Sequence, residues 1–577
     1  MPPAPLKFNK SLVKPARYLA VPAVFLLLSL LSTWPLATAP GSSLPMGTET
    51  SPTVPLLNVW SVWWNAHSAA QGYSGYWGAP IFYPRPGAFA FSEVMPLSVV
   101  AAPVIWATGN HILAYNFLLV LCLCLNGCSV FLLLRRLKFY LSVQWLGGAM
   151  ATLLPLVHSW IGVIQLVPVF GIVWTVIAAL GFVRSPTAIP GIFLGIAFGA
   201  TYLLCAYYGL FLLIPLVFAL AWMMGNLVLR WRTWRSLGLG LMAAGIICLP
   251  FALRQAHTQR LHAPLPKKYL AGFSAMAGDY LVPPWPHWSK VRQARDQMDV
   301  NFDGFRLCPG FLKLALAIAG IGLGLADRKN RTWTLFCLTL MITAFALSLG
   351  PWLRLRGWQP YMLLVNYVPG FGQARNVFRF AILVHLMVVL LAMTGIQELF
   401  AAVRGHIRHT WTRMLISGVI VCLGIAAVVE IVPPAQSLYR PAAASRNPAW
   451  VTYMATQTPQ DSVIACIPFP FRPDAAGYEQ ETLWMYWQTF HRRRMVNGYS
   501  GYFPPEYLAL KMEMTAFPSP ETLSGLRHLG VAYCVVKQDS IFAQTTRTKA
   551  AGGLGLERVF TDDTSQVDIY RLVGNRF

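Results

Sequence analysis

Between residues 38 and 93 the chain carries two acidic side chains, Glu49 and Glu93. A carboxylate there can take a proton from a hydroxyl or hold a cation. Arg375 and Arg379 lie four residues apart, so on a helix they project from one face. Two guanidiniums so placed match a pyrophosphate or a lipid phosphate, which Arg grips in bidentate fashion. The plainer reading is snorkelling toward head groups. Asp303 precedes Gly304 at the entry to an apolar run. It either caps that helix or pairs with a nearby Arg, or it is a second carboxylate of a site. Trp60, Trp63 and Trp64 recur at helical spacing and share one face. That face suits either an interfacial helix or the wall of a substrate groove. Tyr83 belongs to a Tyr76–Gly87 stretch of aromatics interleaved with Pro and Gly, which suits a tight ordered loop or stacking on a sugar ring.

Other chemistries find little support. The histidines form no spaced cluster, and the chain holds no Gly-rich phosphate loop and no G-x-S-x-G elbow. Lys267, Lys268 and the run His491-Arg492-Arg493-Arg494 read first as solvated surface. The ten cysteines include no C-x-x-C pair. Most lie in apolar runs, while Cys308, Cys466 and Cys534 fall where a disulfide between two of them is conceivable.

The elements that must position these residues are apolar. Of 577 residues 56% are hydrophobic and 11% charged, against about 25% charged in soluble proteins. The excess of 45 basic over 21 acidic residues fits short cytoplasmic loops better than nucleic-acid binding, for which no motif is present. Apolar runs near 18–37, 112–134, 141–157, 162–183, 190–204, 207–228, 236–253, 309–326, 332–349, 376–399 and 414–433 predict eleven spans. The first follows Lys7, Lys10, Lys14 and Arg17 and reads as an uncleaved helix rather than a signal peptide. The stretch 94–108, interrupted by Pro96 and Pro103, reads as re-entrant or interfacial.

Charge sets an expected orientation. With the N-terminus in the cytoplasm, the inner turns hold Arg135, Arg136, Lys138, Arg184, Arg230, Arg232, Arg235, Arg328, Lys329, Arg331, Arg404, Arg408 and Arg413. The segment 38–93 holds only Arg85. This is the positive-inside pattern, with the loops 254–308 and 350–375 running against it. The outer face then gathers 38–111, 254–308, 350–375 and everything after 435. In that last part Ser462–Pro468, Val531–Lys537 and Gln566–Leu572 read as strands. Asn447–Thr456, Glu506–Ala516 and Pro520–Leu529 read as helices, with Ser519 as N-cap. The expected division is a transmembrane domain at 1–434 and an extracytoplasmic α/β domain at 435–577.

Several features in one order carry a resemblance. They are the W-x-x-W-W helix, the Phe82-Tyr83-Pro84 loop, Ala114-Tyr115-Asn116, Asp303-Gly304-Phe305, Leu349-Gly350-Pro351, Val368-Pro369-Gly370-Phe371 with Arg375 and Arg379, and Val496–Pro505. Together the chain resembles bacterial GT-C-type integral membrane glycosyltransferases and their uncharacterised, including non-catalytic, relatives. The resemblance implies a mostly α polytopic bundle with a small α/β C-terminal domain, in the bacterial plasma membrane. It implies a polyprenyl-phosphate-linked sugar donor, membrane lipid as partner, and an acceptor outside the cytoplasm. Transfer would be inverting, metal-assisted or metal-free, with a divalent cation as the cofactor it allows. The oligomeric state stays open. The family's acid soon after the first span is usually Asp; here Glu49 stands about where it would be, the expected general base, with Asp303 as second acid. The substitution also fits a relative that binds lipid-linked glycans or scaffolds envelope assembly without catalysis.

Overall fold

The computed structural model describes residues 16–262, 265–285, 305–441, 447–551, 553 and 555–573. Asp303, Asp296, Asp299 and His287 lie outside the described residues.

The chain runs through α1 (Ala16–Ser32), β1 (Leu44–Pro45), α2 (Thr53–Ala70), α3 (Ala102–Thr108), α4 (His111–Arg136), α5 (Leu141–Thr152), α6 (Pro155–Ser159), α7 (Phe170–Arg184), α8 (Ala188–Leu204), α9 (Ala206–Met224) and α10 (Trp231–Gln259). It continues through α11 (Lys267–Gly272), α12 (Phe311–Ala326), α13 (Arg331–Ser348), α14 (Pro360–Tyr367), α15 (Ala381–His406) and α16 (Thr410–Val429). Each of the eleven apolar runs becomes helix, and the molecule is a polytopic helical membrane protein. Among the described residues, seven helices are long and apolar enough to cross a membrane. α1, α8 and α12 are shorter apolar helices, and the run at 141–157 breaks into α5 and α6. The stretch 94–108 forms a 3₁₀ turn, Pro96–Ala101, followed by the short α3.

α15 is the buried axis of the bundle; every residue from Ala381 to Ile396 is inside. α10 lies at the edge and packs on α8 through small residues. A Cβ at Gly195 would stand 1.9 Å from the Gly240 carbonyl oxygen, and one at Gly191 2.2 Å from that of Ser236. Such small faces let helix backbones touch where lipid supplies no hydrophobic drive. α12 meets α15 the same way, with Gly320 against the Leu391 carbonyl. The N-terminus of α12 is capped by Glu430, which accepts from the amides of Phe311 and Leu312 at 2.6 and 2.9 Å.

After α16 come β2 (Leu438–Tyr439), α17 (Ala449–Gln457), β3 (Val463–Ile467), α18 (Glu479–His491), β4 (Arg494–Met495), α19 (Pro505–Glu513), α20 (Pro520–His528), β5 (Val531–Lys537), α21 (Ala543–Ala551), β6 (Leu556–Asp562) and β7 (Val567–Leu572). The sheet order is β4-β3-β5-β7-β6, with β3 parallel to β4 and β5, and β7 antiparallel to β5 and β6. The three strands expected from sequence are β3, β5 and β7. Ser519 caps α20 through the Thr522 amide at 3.3 Å. α18, α21, β4 and β6 were not expected.

All ten cysteines are free. Cys466 and Cys534 lie on paired strands and Cys308 is elsewhere, and no disulfide joins any two of them.

The segments assigned to the outer face do meet. The Leu265 amide donates to the Gly372 carbonyl, Phe378 to that of Phe273, and Tyr502 Oη to that of Gln373. Thr258 Oγ1 donates to the Ala90 carbonyl, and β1 pairs with β2.

Candidate functional site

Where these segments meet lies a half-open cavity of about 370 Å³. α2 presents Val54, Leu57, Asn58 and Ser61 to it, one face at helical spacing. The remaining walls come from 90–93, from Tyr202 of α8 and Tyr207 of α9, from Gln255 of α10, from 369–379, and from Tyr499–Tyr502.

Arg375 and Arg379 both line it, but not as successive turns of a helix. Gly370, at φ +92°, admits a turn that residues with a Cβ rarely make. A short 3₁₀ segment follows at Phe371–Gln373, then non-helical backbone through Asn376, and a second 3₁₀ turn at Val377–Phe380. α15 begins only at Ala381. The pair therefore reaches the cavity from irregular backbone. The Arg375 guanidinium lies 4.4 Å from the Tyr502 ring centre and that of Arg379 5.0 Å from the Tyr207 ring centre, both cation–π distances. Arg379 is buried, and its Nε has no hydrogen-bond partner among the described residues. A buried guanidinium with a donor unmet, facing a largely apolar cavity, is built for an anion.

Two acids answer that charge. Glu93 lies in the cavity wall, and its Oε1 accepts from the amide of Ala206, the first residue of α9, at 2.8 Å. Burial raises its pKa, while Arg379 and the Ala206 amide pull it back. Glu93 is thus engaged as a helix cap. Glu49 stands beside the cavity, its charge coupled to Arg379 and to Tyr499. Its pKa is also raised by burial and lowered by Arg379. No hydrogen bond occupies its carboxylate among the described residues. The backbone just before it is fixed: Gly47, at φ +61°, lets the chain turn hard against Ser159, whose carbonyl accepts from both the amide and the hydroxyl of Thr48 at 2.8 Å. A Cβ at Gly47 would lie 2.5 Å from that carbonyl.

The tryptophans are a correction. Trp60, Trp63 and Trp64 are 0%, 2% and 7% exposed and line no part of the cavity. Trp60 Nε1 donates to Gln488 of α18 and Trp64 Nε1 to the Tyr76 carbonyl, each at 2.9 Å, and Trp63 stacks on His67. α18 covers the face that was read as groove wall or interfacial. Tyr83 also lies off the cavity, with Arg494 over its ring at 5.6 Å and its amide on the Met495 carbonyl. The structure thus brings Arg375 and Arg379 together in the cavity wall, with Glu49 within electrostatic range of Arg379, and leaves Trp60, Trp63, Trp64 and Tyr83 as packing. Glu93 was visible in the sequence without a role. Tyr499 and Tyr502, in a motif already singled out, and Tyr202 and Tyr207 in their apolar runs gave no signal of a shared wall.

Among the described residues no three His, Cys, Asp or Glu side chains converge tightly enough to hold a metal ion. These residues do not fit a cation bound by protein ligands alone, and no step is routed through one below.

The fold, a polytopic helical bundle followed by a small α/β region, is shared with solved membrane-protein structures. The chain aligns over 99% of its length with the mycobacterial arabinofuranosyltransferase AftD, at TM-score 0.57 and 13% identity. Two structures of a mutant of that enzyme align over 97% and 98%, each at TM-score 0.53, with 15% and 14% identity. The chain spans only 41–42% of the length of those structures. At such identities the likeness is one of fold. No family model matches the sequence, and neither does any curated protein.

Proposed function

We propose that the chain is an inverting membrane glycosyltransferase that moves a sugar from a polyprenyl-phosphate donor to an acceptor hydroxyl on the extracytoplasmic side of a bacterial plasma membrane. The observation that carries this reading is the cavity itself, with two guanidiniums in its wall and an unengaged carboxylate beside it, inside a GT-C-like fold.

In this reading Glu49 accepts the acceptor's hydroxyl proton while the acceptor oxygen bonds to the anomeric carbon. The bond from that carbon to the donor phosphate breaks, and its electron pair leaves with the phosphate. Arg375 and Arg379 bind that phosphate and stabilise the charge that grows on it. Glu93 holds α9 and keeps Arg379 in place. The tyrosines of the wall give the sugar ring faces to pack on. The N-terminus in the cytoplasm and the C-terminal region outside follow from the charge pattern.

The test is transfer from a polyprenyl-phosphate sugar by purified protein, wild type against Glu49→Gln. Loss of a positioned base costs about 10²–10⁴ in rate, so kcat should fall by at least about 100-fold. Unchanged turnover would remove Glu49 from the mechanism. Saturable binding of the donor with no turnover in wild type would favour the non-catalytic relative.

A further inference from the structure

The cavity wall at Tyr499–Tyr502 belongs to a segment without regular structure, Asn497–Phe503. Something must hold it, because Tyr502 packs against the Arg375 guanidinium and Tyr499 and Gly501 face the same space. Its later residues are tied down by Ser500 Oγ on Ser92 Oγ at 2.6 Å and by the Tyr502 amide and hydroxyl on the Phe91 and Gln373 carbonyls at 3.1 and 2.7 Å, while its start leans on a buried carboxylate. Glu481, on α18, is 1% exposed. Its Oε1 accepts from the Gly498 amide at 2.7 Å and from Tyr507 Oη at 3.0 Å, and its Oε2 from Asn497 Nδ2 at 3.4 Å. Asn497 in turn takes the Cys466 amide at 2.6 Å and gives to the Cys466 carbonyl at 2.8 Å, which ties the segment to β3. Gly498 is pressed from the other side: a Cβ there would meet the Phe82 ring at 2.8 Å. At the far end, His262 contacts the Phe503 carbonyl at 2.8 Å.

We propose that Glu481 is a positioning residue for the cavity: by collecting the Gly498 amide, Asn497 and Tyr507 it fixes Asn497–Phe503 so that Tyr499 and Tyr502 frame the anion held by Arg375. The inference rests on the donor reading above, but it assigns a part to α18 that the site description does not. α18 acts on the loop after β4 at two points, the Glu481 carboxylate and Met485, whose Sδ takes the Tyr499 amide at 3.1 Å. Burial pushes the Glu481 carboxyl up to about 7, against the pull of its three donors and of Lys511. The other titratable groups facing it are Tyr507, Tyr478 and Cys466.

Glu481→Gln keeps an acceptor for Gly498 and Tyr507, whereas Glu481→Leu leaves those donors buried and unmet. The probe is farnesyl phosphate, titrated against detergent-purified full-length protein, with hydrogen exchange read peptide by peptide. The Leu variant should bind at least about tenfold more weakly, a loss in keeping with hydrogen bonds to a charged group. Its faster exchange should be confined to 497–503. The Gln variant should bind within about threefold of wild type. Gly498→Ala, which displaces the loop from the Phe82 side and leaves Glu481 intact, should copy the Leu variant and keeps the test open if that variant fails to fold. Wild-type binding and protected 497–503 amides in both Leu and Ala variants would overturn the proposal, as would exchange that rises evenly over the whole chain. If wild type does not bind farnesyl phosphate, the donor reading fails, and the exchange pattern still decides the role of Glu481.

Discussion

Arg379 combines burial, an unmet Nε donor and two acids within reach of its charge. A buried charge is costly unless something pairs with it. If the cavity holds an anion, Arg379→Lys keeps the charge and loses the fork, and the donor KM should rise about tenfold or more. Steady-state kinetics on the Lys variant checks this. The pH profile is the second prediction at this scale. Glu49 serves as base only when ionised, and burial raises its pKa above the usual carboxylate value. Turnover should therefore fall as pH drops through that raised value, so the acid limb should sit above about 4.3. In Glu49→Gln the limb should vanish with the activity. Glu49, Arg375 and Arg379 were legible because charges near apolar runs are few. The tryptophans misled because spacing names a shared face and not its neighbour. Nothing in 60–64 says that α18, over 400 residues later, covers it.

Among elements, every apolar run became helix because hydropathy acts over many residues and survives single exceptions. Boundaries and pairings did not follow as easily. The start of α15 was read as helix through Arg375, whereas Gly370 and Gly372 delay it to Ala381. α18 escaped notice because it is buried on nearly all sides, leaving no polar face to mark its period. The α8–α10 contact gives a prediction. Gly195→Val would drive a side chain into the Gly240 carbonyl, from which even a Cβ would be only 1.9 Å. Overpacking of this kind costs about 1–3 kcal/mol. The variant should melt several degrees lower in detergent, with donor KM little changed. A melting curve equal to wild type would show that α8 and α10 do not pack through these glycines.

At the scale of the molecule, the charge pattern read from sequence places on one side all the segments that the hydrogen bonds join. What sequence did not disclose is how closely the C-terminal region is fitted to the first loop, since those contacts depend on residues hundreds of positions apart. Glu481 gives this scale its own prediction. Its carboxyl holds its proton more tightly when folded, at about 7 against 4.5. Its contribution to stability is full below about 4.5 and is lost as pH rises through 7. The bound on that loss is about 3 kcal/mol. Melting in detergent should decline between pH 5 and 8, and Glu481→Gln should flatten that decline. An unchanged slope in the Gln variant would assign the titration to another group.

The most direct measurement is a cryo-EM structure of the protein in nanodiscs with a polyprenyl-phosphate sugar. The predicted result is a phosphate in the cavity with oxygens about 3 Å from the guanidiniums of Arg375 and Arg379, and the sugar between that phosphate and Glu49. Lipid phosphate bound elsewhere, with the cavity filled by water or acyl chain, would contradict the account.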